Sequence, residues 1–283
     1  MASVSTYLSF VRVSHTVFAL PFAFTGALLA VRETTPPWAS FGWILVCMVS
    51  ARSAAMGFNR LVDARFDALN PRTANRELPR GVLSVGQARL FVAVAAAVFV
   101  GAAFQISALC GWLSPLALAI VGWYSLAKRY TYYTQAFLGL AMAVAPVGGW
   151  LAAGGGLALA PWLLGLAIGL WVAGFDIIYA CQDEPFDRAH GLKSIPVKFG
   201  IAGALRLSRV LHVATVIVMA ALAAVLDLGP IYLGGVALVA ALLAYEQSIV
   251  APDDLSRAAE AFNLNGYVGI LYMVTTAVAL YVG

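Results

Sequence analysis

Residues 38–67 read WASFGWILVCMVSARSAAMGFNRLVDARFD. A helix crosses the hydrocarbon of a bilayer with ~20 mostly apolar residues, so residues 38–58 predict a membrane-spanning helix. Asn59, Asp63 and Asp67 then recur at steps of four. Residues four apart share one helix face, so these side chains form a short column of oxygen donors. Arg52 lies inside the apolar run, seven residues before Asn59. That is two turns, or ~10 Å, away on the same face. An arginine at that depth needs an anionic partner. A buried acid of the chain would serve, and so would the carboxylate of a ligand.

The rest of the chain is of the same kind. Of 283 residues, 62% are hydrophobic and 11% charged, and the mean hydropathy is +0.89. A soluble domain carries about a quarter charged residues, so a disordered chain, a nucleic-acid-binding domain and an ordinary soluble enzyme are excluded. The expectation is an all-α membrane protein, one domain over residues 1–283, with about nine helices in one bundle. The expected spans are 15–32, 38–58, 89–107, 108–127, 133–153, 158–180, 206–226, 229–248 and 264–282. The third and fourth adjoin and must form a helical hairpin. Pro21 and Pro146 fall inside spans, which a bundle tolerates. No cationic segment precedes the first apolar run, so the stretch from His15 reads as a retained helix rather than a cleaved signal. Cys47, Cys110 and Cys181 show no metal or redox spacing and read as small core residues.

The net charge of +4 reflects topology, not a nucleic-acid partner. Fourteen of the 17 Lys and Arg fall in the connections after the second, fourth, sixth and eighth spans. Basic connections stay cytoplasmic. This predicts a multi-pass protein of a bacterial-type inner membrane, its N-terminus inside, its C-terminus outside and its charged connections facing the cytoplasm. Arg12, Arg32 and Arg52 are the other three.

The acids are as concentrated as the bases. Seven of the 13 are Asp63, Asp67, Glu77, Asp176, Asp183, Glu184 and Asp187. Asp176, Tyr179, Asp183 and Asp187 follow one another at offsets of three, four and four, which on a helix makes a second column. Carboxylates at such depth are costly, and their mutual repulsion demands a cation. Mg²⁺ fits, because it takes hard oxygen ligands and often only one or two carboxylates, completing its shell with substrate phosphates. Arg72, Arg76 and Arg80 follow the first column at four-residue steps, and Lys128 and Arg129 close the fourth span. Carboxylates, Mg²⁺ and cationic forks are together what a diphosphate needs; topology alone is the other reading of the same bases.

Asn59-x3-Asp63-x3-Asp67 and Asp176-x2-Tyr179-Ala180-x2-Asp183-x3-Asp187-x3-Gly191-x2-Ser194 resemble the paired motifs of the UbiA family of intramembrane polyprenyltransferases. Residues Arg72 to Gly81 and Tyr124-x3-Lys128-Arg129-Tyr130-Thr131 look like that family's as well. The resemblance implies nine helices around a central cavity, Mg²⁺ dependence, a polyprenyl diphosphate donor drawn from the bilayer and an aromatic acid acceptor in quinone biosynthesis. It places Asn59, Asp63, Asp67, Asp183 and Asp187 at the Mg²⁺–diphosphate, the four aspartates being the catalytic set. It gives Arg72, Lys128 and Arg129 diphosphate contacts, and directs Arg52, Asp176 and Tyr179 at the aromatic substrate. Arg60 stands where many 4-hydroxybenzoate enzymes have Asp. The stretches Phe58-Asn59-Arg60-Leu61 and Ile178-Tyr179-Ala180-Cys181-Gln182-Asp183 look more like the futalosine-route menaquinone branch. Both 4-hydroxybenzoate and 1,4-dihydroxy-6-naphthoate therefore stand as expected acceptors.

The implied reaction ionises the allylic C–O bond, and an electron-rich ring carbon beside a phenol hydroxyl attacks the cation. Phe18, Trp123, Tyr124 and Tyr179 are candidate cation–π partners. A secondary transporter with paired intramembrane acids is the alternative of a different class. The acids lie at helix ends beside abundant Arg and not at the midplane, which weighs against it. A phospholipid-headgroup transferase also uses Asp and a divalent metal, but in a single motif.

Overall fold

The computed structural model describes residues 4–11, 19–32 and 34–282. Among them no strand forms, and the elements in chain order are helices: α1 Val4–Phe10, α2 Leu20–Val31, α3 Trp38–Leu69, α4 Val85–Ile106, α5 Ala108–Tyr130, α6 Thr134–Ala152, α7 Leu159–Ala180, α8 Glu184–Ala189, α9 Ile195–Leu226, α10 Gly229–Ser248 and α11 Ala258–Val282. Eight described helices are long and apolar enough to cross a membrane, and α2 is a shorter apolar helix of 12 residues. Residues 15–18 of the first expected span, with Phe18 and Arg12, lie outside the described residues. Packing groups the chain into two compact units: Met1–Thr16 with Ala39–Leu126, and Val17–Trp38 with Ala127–Gly283.

In the first unit, α3 runs eleven residues past the expected end at residue 58. Arg60 and Arg65, expected in a connection, are therefore helical, and Arg60 is buried. The chain stays helical because one face remains covered: Gly57, Arg60, Asp63 and Asp67 are all buried, at helical spacing. Ser84 starts α4 with a capping box. Its hydroxyl accepts from Gln87 N (3.2 Å), and its own N donates to Gln87 Oε1 (3.0 Å). Ser107 alone, in extended conformation, joins α4 to α5, and its Oγ accepts from Cys110 N. The tight hairpin is thus as expected. The short helix α1, not expected from sequence, packs Tyr7 against Phe91 at 5.3 Å and hydrogen-bonds Ser9 to Glu77 at 2.6 Å.

In the second unit, glycines let backbones touch. A Cβ on Gly149 of α6 would fall on the carbonyl of Ala23 in α2, and one on Gly26 would fall on the carbonyl of Pro146. Without a hydrophobic drive between helices in lipid, close packing of small residues supplies the attraction. A polar network crosses the apolar interior. Trp171 Nε1 donates to Asn265 Oδ1 (2.7 Å), and Asn265 Nδ2 donates to Glu246 Oε1 (3.0 Å). Beside it Gln247 Nε2 donates to Ser208 Oγ (2.7 Å), which donates to Gly174 O (2.8 Å). Helix α9 begins eleven residues before the expected start at 206. Its first turn, Ile195–Phe199, is set off by Gly200 at φ 69°, ψ 168°, a backbone region that only glycine enters freely.

Cys47 and Cys181 are buried as expected, Cys110 is half-buried, and all three are free thiols.

Candidate active site

The first unit carries the Asn59 column on the last turns of α3. Asp63 and Asp67 are 4% and 6% exposed, far below an ordinary surface carboxylate, and Asn59 is half-buried. Asn59 Nδ2 approaches Asp63 Oδ2 at 3.4 Å, so the column is in register as the spacing required. Asp67 receives Arg76 Nη1 on both carboxylate oxygens, at 2.7 and 2.8 Å. This part-buried ion pair fastens the 70–84 connection to α3. Thr73 Oγ1 adds a bond to Asp67 O (3.1 Å), and Asn70 Oδ1 accepts from Arg72 N (2.9 Å). Arg72 is exposed.

Arg52, two turns back along α3, is half-buried and lies within electrostatic reach of Tyr124. Its Nε is buried without a hydrogen-bond partner among the described residues. Nearby an apolar pocket of about 350 Å³ opens between α3, α4 and α5, lined by Ala54, Phe58, Val92, Ala96, Gly122 and Trp123. Trp123 therefore belongs to an apolar wall.

The second unit holds Lys128, Arg129, Asp176, Tyr179, Asp183 and Asp187. Their arrangement corrects one expectation: the second column is not one continuous helix. Helix α7 ends at Ala180, Cys181–Asp183 form a 3₁₀ turn, and α8 restarts at Glu184-Pro185. Pro185 has no N–H to continue the α ladder, so the turn tightens before it. Asp183 occupies the N-cap position of α8 but makes no side-chain capping bond. Asp176, Tyr179, Asp183 and Asp187 are all half-buried.

Neighbouring groups set the turn. Arg188 bridges Glu184 (2.6 Å) and donates to Val197 O (3.0 Å), and Asp187 O accepts from Leu192 N (2.8 Å). Lys193 N donates to Lys128 O (2.7 Å), so the end of α5 is tied to the segment that follows Asp187. The Lys128-Arg129 pair and the second motif thus share one unit.

Sequence reasoning missed an aromatic ladder in this unit. Phe22, Trp171, Phe175, Phe262 and Tyr179 stand ring to ring at centroid separations of 4.9, 5.0, 5.6 and 4.8 Å. It also missed the Glu246–Asn265 pair that anchors Trp171. An acid and an amide inside apolar runs were the available signal.

Among the described residues no three His, Cys, Asp or Glu converge into a complete metal cage. What each motif offers is a few hard oxygen donors.

A sequence model of the UbiA prenyltransferase family matches residues 19–269. The chain belongs to the UbiA prenyltransferase family. It is thus an integral, multi-pass membrane enzyme that transfers prenyl groups. The 4-hydroxybenzoate octaprenyltransferase of Yersinia enterocolitica is 31% identical over 220 residues, covering 78% of this chain and 76% of that protein. A UbiA homologue from Aeropyrum pernix K1, solved in its apo form, aligns with a TM-score of 0.86 and 38% identity, over 93% of this chain and 97% of that one. A UbiA homologue from Archaeoglobus fulgidus, bound to GPP and Mg²⁺, aligns with a TM-score of 0.69 and 21% identity over 97% of this chain and 99% of that one, a likeness of fold.

Proposed function

We propose that this UbiA-family protein is, over residues 1–283, one catalytic domain that moves a polyprenyl group from polyprenyl diphosphate to an aromatic carboxylic acid, with Mg²⁺. The acceptor is 4-hydroxybenzoate or 1,4-dihydroxy-6-naphthoate, and the product a precursor of ubiquinone or menaquinone. The observation that carries the reading is the Asn59–Asp63–Asp67 column, its two carboxylates buried and Asp67 paired with Arg76 Nη1, within a chain whose charge is otherwise sparse. The octaprenyltransferase relative and the GPP- and Mg²⁺-bound fold relative support it.

The donor set fits the metal. Asn59, Asp63, Asp67, Asp183 and Asp187 are hard oxygen ligands in groups too small to enclose an ion, which suits a cation completed by phosphate oxygens. Mg²⁺, when bound, would supply charge neutralisation at the departing diphosphate. Arg72, Lys128 and Arg129 pair with the remaining diphosphate oxygens. The allylic C–O bond breaks with its electron pair leaving on the diphosphate, a ring carbon beside the phenol bonds to the allylic carbon, and the ring proton is lost. Arg52 orients the acceptor carboxylate, and Asp176 and Tyr179 line the aromatic substrate. The apolar pocket beside Phe58 suits isoprenoid carbon and excludes water from the cation. The charged connections face the cytoplasm.

Purified protein incubated with Mg²⁺, a polyprenyl diphosphate and each acid should release diphosphate and form a prenylated product, and running the two acids side by side identifies the acceptor. Asp63→Ala and Asp183→Ala should each cut turnover by at least about a hundredfold, on the scale of losing a positioned electrostatic group, while eluting as folded protein. Normal turnover in either variant would remove that residue from the site.

A further inference from the structure

The second unit presents an aromatic and basic surface that the reaction does not use. It lies where three membrane-crossing helices end or begin: α5 stops at Tyr130, α6 starts at Thr134, and the first turn of α9 precedes Gly200. Residues some sixty apart in sequence are fastened together there. Lys193 Nζ donates to Tyr130 O (3.1 Å), Thr134 Oγ1 to Lys193 O (3.1 Å), and Ile195 N to Gln135 Oε1 (3.1 Å).

On this scaffold Lys198 Nζ sits 4.5 Å from the ring centroid of Tyr133, 5.1 Å from Phe199 and 5.9 Å from Tyr132, and it donates to Tyr133 OH at 2.8 Å. Lys193 Nζ is 5.7 Å from the Tyr132 centroid. The rings are open to the surroundings: Tyr132, Tyr133 and Phe199 are 38%, 46% and 47% exposed. Neither lysine makes an ion pair with a described carboxylate. Cation–π contact positions an ammonium without neutralising it, so two fixed positive charges remain on a floor of exposed rings.

Exposed Tyr rings at helix ends belong at headgroup level, apolar body toward the acyl chains and hydroxyl toward water. A lysine held there attracts an anionic headgroup by about 1 kcal/mol. We propose that the surface formed by Lys193, Lys198, Tyr132, Tyr133 and Phe199 docks the phosphate headgroup of an anionic phospholipid. Charge complementarity supplies the recognition. The exposed rings favour a headgroup with acyl chains beneath it over a free anion, which would find no use for them.

The test uses the full chain in nanodiscs of phosphatidylcholine containing a minority of phosphatidylglycerol, with retained lipid counted by native mass spectrometry. Wild type should enrich phosphatidylglycerol. The enrichment should fall roughly fivefold for each lysine removed in Lys193→Gln and Lys198→Gln. Lys198→Arg, which keeps the charge and the ring contacts, should retain it. Inorganic diphosphate at millimolar concentration should not displace the lipid. Equal retention of the two lipids by wild type overturns the proposal without any variant having to fold. So does unchanged enrichment in a folded Lys193→Gln/Lys198→Gln protein, or displacement by diphosphate, which would mark the surface as a site for free anions.

Discussion

Asp63 and Asp67 occupy equivalent places in one column, yet their surroundings differ. Asp67 is held by both bonds of Arg76, whereas the side-chain amide of Asn59 reaches Asp63 at 3.4 Å. The column itself was legible from a spacing of four. The Arg76 clamp was not, because nine residues and a helix end separate the partners, and the equal steps of Arg72, Arg76 and Arg80 gave no reason to prefer one of them. Arg52 belongs to the same scale. Its buried Nε has no hydrogen-bond partner among the described residues, a costly arrangement unless a ligand completes it. Arg52→Ala should raise the KM for the aromatic acid by one to two orders of magnitude, the loss of a charge-assisted bond of about 1.5–3 kcal/mol, while the KM for the prenyl diphosphate changes little. Steady-state kinetics with each substrate varied in turn decide it. A larger effect on the donor removes Arg52 from the acceptor site.

Helices show a second pattern: their centres follow from hydropathy, their ends from local chemistry. Periodicity placed the middles of α4 to α7, α10 and α11 well. It stopped α3 too early and started α9 too late because it follows apolar residues, while the extra turns of α3 bury Asp63 and Asp67. It treated the second motif as one helix because a spacing rule does not register the missing N–H of Pro185. Helix contacts escape hydropathy too. Gly148 and Gly149 are alike in sequence, but a Cβ on Gly149 would strike the Ala23 carbonyl and a Cβ on Gly148 would meet nothing within 4 Å. Gly149→Ala should therefore lose about 1–3 kcal/mol through forced separation of α2 and α6. Gly148→Ala should be neutral or slightly stabilising, since Ala favours helix over Gly by up to about 1 kcal/mol. Thermal unfolding of the two variants in one detergent gives the comparison, and equal midpoints would show that the α2–α6 contact yields without cost.

Across the whole molecule, the distribution of Lys and Arg predicts which connections meet the cytoplasm. Starting from a chain with its three cysteines replaced, Asn75→Cys should react with a membrane-impermeant maleimide only from the cytoplasmic face. Leu157→Cys, 92% exposed between α6 and α7, should react only from the other face. Exchange of the two results would invert the orientation.

The sequence by itself determined the solvent, the helical class, the register of the first column and the family. Each rests on composition or on spacing within one helix, where geometry is fixed by the backbone repeat. The tertiary structure decided which oxygens of the column are already bonded. It showed where α7 gives way to α8, how Glu246 and Asn265 hold Trp171, and that the 130–134 turn meets the start of α9. These join groups distant in the chain, and only packing decides which of many compatible partners is brought within the ~3 Å at which a hydrogen bond forms.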